Sequence, residues 1–161
     1  MPQLDPTRVE VVLDLENLLA PSFGADPAAA VRRIAEVRRV ALRHGTRIAG
    51  FGCGDRRLVA RLVHPALAWL QLFPGAAGPD RADTELQRRM RDVERTGVGT
   101  VVVGTGDGGF ALAVARLRAQ GRRVVVVGLA GHVSWRLHRV ASEVVLLDER
   151  EAAAGVLAGV A

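Results

Sequence analysis

The sequence predicts an α/β fold. It reads as one domain over residues 1–161, with its core at 9–147 and a mostly parallel central sheet of about five or six strands carrying helices on both faces. Three observations carry this prediction. Short runs such as Val9-Glu10-Val11-Val12-Leu13 and Val101-Val102-Val103 are bounded by turn residues, as buried parallel strands are. Segments of helical period separate these runs almost to the end of the chain. The chain has 161 residues, 49% of them hydrophobic, so it can bury a core and is too apolar for disorder.

The elements follow in order. The first strand, 9–14, ends at Asp14, where strand gives way to loop. A helix over 27–44 comes next. At about 100° per residue, Val31, Ile34, Ala35, Ala41 and Leu42 share one side, and Arg32, Arg39 and Arg43 the other. Arg38 falls within the apolar side, which leaves three roles open to it: snorkelling, pairing with a buried acid, or a contact in a homodimer. Strand 47–52, helix 56–63 and strand 67–73 follow, then the Gly/Pro-rich stretch 74–79, read as a loop inside the domain. Helix 81–95 carries the core stripe Ala82, Leu86, Met90 and Val93. Strand 100–104, helix 110–120, strand 123–128, helix 133–141 and strand 143–147 complete the alternation, with a final helix over 150–161. Gly45, Gly97 and Gly121 stand just after three helices, where positive φ would close the last turn.

Composition narrows the chemistry. There is no lysine; arginine supplies all 22 basic side chains against 17 acids, and the net charge is +5. Such a surface attracts polyanions, and the guanidinium fork suits phosphate. Aromatic residues make up only 4%, so a base-stacking platform is not expected. Cys53, the single cysteine, excludes an internal disulfide and a Cys-rich zinc site; it reads as a small hydrophobe at a strand end. His44, His64, His132 and His138 lack the spacing of a helical zinc motif. Residues 1–7 show no signal pattern, and no apolar run approaches the ~18 residues of a membrane span. A cytoplasmic protein with no membrane partner is therefore expected.

Three carboxylates define the candidate site. Asp14 ends the first strand, Asp107 follows the fourth in Gly104-Thr105-Gly106-Asp107-Gly108-Gly109, and Asp83 lies in the first turn of a helix. Each has an ordinary local alternative as a turn, capping or helix-dipole residue. In a sheet wound as predicted, however, all three reach the same rim, at the carboxyl ends of the strands where ligands collect. Carboxylates converging there repel one another unless a cation bridges them, and Mg²⁺ or Mn²⁺ suits an all-oxygen donor set. The loop 104–109 also matches the G-x-G-x-x-G pattern of dinucleotide sites. An aspartate inside that loop has the wrong sign for a pyrophosphate, and the next strand ends without an acid for a ribose hydroxyl. A Walker-type loop is excluded, since it needs a lysine.

These residues, taken in order, resemble the NYN domain family, relatives of the PIN-domain nucleases. Asp14-Leu15-Glu16-Asn17 resembles the family's D-x-x-N opening, and Ala82-Asp83-Thr84 is similar to its V-D-V element. Thr105-Gly106-Asp107-Gly108-Gly109-Phe110 resembles S-G-D-x-D-F. The stretch 118–128, with Ser134 and Leu137 beyond it, is similar to L-R-x-x-G-x-x-V and S-x-x-L. The resemblance implies a PIN-like domain and a metal-dependent ribonuclease. Asp14, Asp83 and Asp107 would be catalytic and hold Mg²⁺ or Mn²⁺, with Asn17 and Thr105 in support and RNA as partner. Three positions depart from the pattern: Gly109 replaces a second aspartate, Asp80 a frequent lysine and Ser142 an aspartate. Fewer acids bind metal more weakly, so a catalytically weak or inactive RNA-binding module of the same fold is the alternative. A nucleotide-binding protein using the loop 104–109 stands behind both.

Overall fold

The computed structural model describes residues 2–19, 26–75 and 81–148. Six strands, β1 (Asp5–Asp14), β2 (Arg47–Gly54), β3 (Leu70–Pro74), β4 (Val98–Gly104), β5 (Arg123–Leu129) and β6 (Glu143–Leu147), form one sheet in the order β3-β2-β1-β4-β5-β6. Every neighbouring pair is parallel. Among the described residues six α-helices accompany them: α1 (Leu15–Leu19), α2 (Pro27–Leu42), α3 (Arg56–Arg61), α4 (Arg81–Glu94), α5 (Ala111–Ala119) and α6 (Trp135–Val140).

Parallel strands buried on both faces need apolar side chains in both directions of the pleat, and the valine runs supply them. Val9, Val11 and Leu13 of β1, with Val102, Val125 and Val127, pack with α1 and α2. Val12, Val101, Val103, Val124 and Val126 pack under α4, α5 and α6. The stripe expected on α4 is present: Leu86, Met90 and Val93 are buried, and Ala82 packs against the same cluster. The expected α/β class and the helices on both faces are thus observed.

Several local expectations are corrected. Asp14 leads directly into α1, a five-residue helix, and not into a loop. β1 starts at Asp5, four residues early, because a register shift between Asp5 and Val9 accommodates Pro6. β3 starts late, at Leu70, because Pro65–Leu67 form a 3-10 turn capped by the His64 ring, whose Nδ1 accepts the Ala66 N–H at 3.1 Å. On α2 the buried face runs through Ala30, Arg33, Ile34, Val37 and Ala41, and Leu42 is exposed. Arg38 is exposed, with its guanidinium 5.7 Å from the Trp69 ring centroid, so it snorkels. Of the three glycines expected at positive φ only Gly121 has it (φ 84°). Gly45 and Gly97 are required by close approach instead: a Cβ there would stand 2.6 Å from the Thr7 carbonyl oxygen and 2.8 Å from that of Gln3. The expected helix 150–161 and most of the loop 74–79 lie outside the described residues.

Candidate functional site

The sheet order places a switch point between β1 and β4. From β1 the chain winds outward through β2 to β3, then returns to β4 on the other side, so the crossovers diverge at this pair and open a crevice at its carboxyl edge. Asp14 ends β1 there, and Thr105 follows β4 directly.

Asp14 is nearly inaccessible, at 6% exposure. Leu13 pairs with Gly104, so the two strand ends run side by side, and a Cβ on Gly104 would meet Leu13 Cδ2 at 2.6 Å. The buried Thr105 donates its hydroxyl to Asp14 Oδ2 at 3.1 Å, and the Asn17 N–H donates to Asp14 Oδ1 at 3.3 Å. Thr105 Oγ1 also accepts the Asp107 N–H at 3.1 Å, while Asn17 Oδ1 accepts the Gly106 N–H at 2.6 Å. One lattice of hydrogen bonds therefore joins the end of β1, the first turn of α1 and the loop after β4. Burial pushes the Asp14 carboxyl up to about 6, against the lowering effect of these donors, and nearby Asp83 and Glu16 push in the same direction.

Asp14, Glu10 and Val12 share the face of β1 toward α4: Glu10 Oε1 accepts from Arg89 of that helix at 2.8 Å. Asp83 lies in the first turn of α4, and its charge is felt at Asp14. Asp107 is partly buried and uses Oδ1 to accept the Gly109 N–H at 2.8 Å, capping the 3-10 turn Gly108–Phe110. The structure therefore brings Asp14 into hydrogen-bonded connection with Asn17, Thr105 and the Asp107 backbone, and within electrostatic reach of Asp83. It does not gather the acids into a closed cage: among the described residues no three His, Cys, Asp or Glu side chains form a metal-holding group. Asp14 and Asp83 are oxygen donors whose mutual repulsion a cation would relieve. An ion held by one or two carboxylates and otherwise by water fits such a set, as Mg²⁺ commonly is. At Gly109 a Cβ would stand 3.3 Å from Asp107 Oδ1, so an acid at this exposed position would lie beside that carboxylate.

Cys53 pairs with Asp14 across the sheet and is buried, and its thiol is pushed up to about 11 by burial, with Glu85 adding to it. It stays a neutral thiol, as expected of a small hydrophobe. The glycines of the loop 104–109 serve packing within the chain. A Cβ on Gly106 would stand 2.0 Å from the His132 carbonyl oxygen, and one on Gly108 2.6 Å from Ser134 Oγ. Close packing at Gly104 and Gly106 thus accounts for two of the three glycines of the G-x-G-x-x-G pattern without a pyrophosphate.

A family model for the NYN domain matches residues 8–148. The chain belongs to the NYN domain family. NYN domains are PIN-like, and the nucleases among them usually use divalent metals. Among solved structures the chain is similar to a protein of unknown function from Vibrio parahaemolyticus, with a TM-score of 0.65 at 17% identity over 92% of this chain and 98% of that one. A likeness at that identity speaks for the fold alone. No curated protein matches. No helix among the described residues is long and apolar enough to cross a membrane.

Proposed function

We propose that this NYN domain hydrolyses RNA phosphodiester bonds with Mg²⁺ or Mn²⁺, at the rim where Asp14, Asp83 and Asp107 stand. The observation that carries the reading is the buried Asp14 at the switch point, held by Thr105 and the Asn17 backbone and destabilised as an anion by burial and by Asp83. A carboxylate kept buried near another acid, at a stability penalty and in a crevice, supports a functional site there.

Asp14, Asp83 and Asp107 are the residues that would hold the cation, directly or through water. A divalent ion supplies a water of lowered pKa and neutralises charge gathering on the phosphate oxygens. The Thr105 hydroxyl fixes the Asp14 carboxylate and, through its second bond, the backbone at Asp107. Asn17 ties the loop 104–109 to α1 through the Gly106 N–H. Arginines near the rim attract the RNA backbone. The reading carries with it a cytoplasmic location, where RNA and Mg²⁺ are available.

A second reading, an RNA-binding module that does not cut, is favoured by the glycine at 109 and by the open arrangement of the acids among the described residues. Incubation with single-stranded RNA decides between them. Cleavage in Mn²⁺ that EDTA abolishes and Asp14→Asn lowers at least 100-fold is the expected result. Cleavage undiminished in Asp14→Asn overturns the assignment of the site, and RNA that is bound but left intact supports the second reading.

A further inference from the structure

The segment between β5 and α6 comes down directly on the loop that carries Asp107. Ser134 donates its N–H to the Gly106 carbonyl at 2.9 Å, only glycine fits at 106 against the His132 carbonyl, and a Cβ on Gly108 would stand 2.6 Å from Ser134 Oγ. A Cβ on Gly108 would also stand 3.5 Å from Arg136 Cδ. The next residue, Trp135, opens α6 at the same carboxyl edge of the sheet, and it is 63% exposed. The Arg136 and Arg139 guanidinium groups lie 5.9 and 5.6 Å from its ring centroid. Neither arginine forms an ion pair with a carboxylate among the described residues.

We infer that Trp135 is a stacking position for one unpaired nucleobase of single-stranded RNA, with Arg136 and Arg139 meeting the adjoining phosphates. This rests on the RNA reading above and adds the residues that select the strand. An exposed indole presents a π-face that every base can cover, and each stacked base commonly contributes a five- to hundredfold gain in affinity. Two uncompensated guanidiniums beside it supply the opposite charge to a phosphate chain and add cation–π attraction. An acidic peptide satisfies the charges and leaves the indole uncovered; RNA satisfies both. The bases of a duplex are already stacked on one another, so the arrangement favours single strands. The low aromatic content made stacking unexpected, yet a single stacking position needs only one ring, provided it stands beside the site.

The test uses the fact that the chain has two tryptophans, Trp69 and Trp135. Trp69→Phe leaves Trp135 as the only indole emitter. Titration with a single-stranded oligoribonucleotide in EDTA, where metal-dependent cleavage is blocked, is expected to quench that emission. An oligonucleotide with abasic positions and a duplex of equal length should quench far less. Trp135→Ala should weaken binding roughly 10-fold and Trp135→Phe only slightly, with the melting temperature of both variants unchanged because the ring is exposed. Unaltered emission on RNA binding, full affinity in Trp135→Ala, no RNA binding at all, or equal quenching by a polyglutamate peptide each overturns the inference. RNA cleavage in Mn²⁺ without quenching sinks the stacking position and leaves the nuclease reading standing. Quenching and aromatic-dependent binding without cleavage do the reverse.

Discussion

Asp14 combines two opposed demands at a single residue. Its carboxyl titrates near 6 in the folded chain, against an ordinary value of 3.8, chiefly because it is buried. The folded state therefore holds the Asp14 proton more tightly than the unfolded state does. Below pH 4 both states are protonated and no penalty exists. As pH rises through 4 to 6 the unfolded chain ionises first, and above 6 an ionised Asp14 costs the metal-free fold on the order of 2–3 kcal/mol. Asparagine cannot ionise, and the Thr105 hydroxyl can still pair with an amide. Metal-free Asp14→Asn is thus expected to be more stable than the parent at pH 8, with the advantage shrinking toward pH 4. Urea unfolding in EDTA at the two pH values measures this, and a variant less stable than the parent at pH 8 contradicts the burial argument. The place of Asp14 at the end of a strand was legible in sequence, because an apolar run that stops at Asp is a recognisable pattern. Trp135 was not: its exposure and its neighbours follow from how the segment before α6 packs on Gly106 and Gly108, which no local pattern reports.

At the scale of elements, strands and long helices were legible because their period is set by burial, whereas short or backbone-dependent features were not. Apolar runs marked every strand within a few residues, as valine runs in β1, β4, β5 and β6, and the α4 stripe was read correctly. α1 escaped notice because five residues are too few to show a helical period. Gly45 and Gly97 were assigned positive φ because sequence cannot tell conformational freedom from close approach. Two buried arginines were equally hidden, each being one of an Arg-Arg pair. Arg33 of α2 donates to Glu36 and to the Asp148 carbonyl, fastening the chain beyond β6 to this helix. Arg122, just ahead of β5, donates from Nη2 to the carbonyls of Val93, Glu94 and Thr96 at 3.2, 2.9 and 2.8 Å. It thereby satisfies the Glu94 and Thr96 carbonyls at the end of α4 and shares the Val93 carbonyl with Thr96, which donates its N–H and hydroxyl to it. Arg122→Met keeps much of the volume and strands the Glu94 and Thr96 carbonyls, at a cost of about 3 kcal/mol. Chemical denaturation should register this loss. RNA affinity of the folded variant should be unchanged, because this end of α4 lies at the opposite edge of the sheet from Asp83. A variant of parental stability would show that water replaces the guanidinium at no cost.

Across the whole molecule, the positive charge is unevenly compensated. Arg88 pairs with Glu85 and Asp92, Arg95 with Asp92, Arg116 with Glu94, Arg123 with Glu143, and Arg47 with Asp5. Exposed pairs of this kind contribute little to stability, and salt screens them. What they do is cancel the field on those surfaces. The excess behind the net charge of +5 is then left to positions such as Arg136 and Arg139 beside the acid-bearing rim. On the proposed RNA reading, this cationic patch beside the acid-bearing rim would draw a phosphate chain in and set it across the carboxylates, a field that neither group produces alone. Two consequences separate in one experiment. Each phosphate neutralised on a single strand steepens the salt dependence of binding by about 0.7 in log–log slope. With about two to three phosphates engaged, raising salt fourfold should weaken RNA binding roughly 10-fold. The midpoint of thermal unfolding should move only slightly over the same range, since the ion pairs that salt screens are exposed. Removing both cations with Arg136→Gln and Arg139→Gln should flatten the slope by about 1.4 if each meets a phosphate. An unchanged slope in that double variant would move the RNA track to another surface, the Arg39 and Arg43 face of α2 being the next to test.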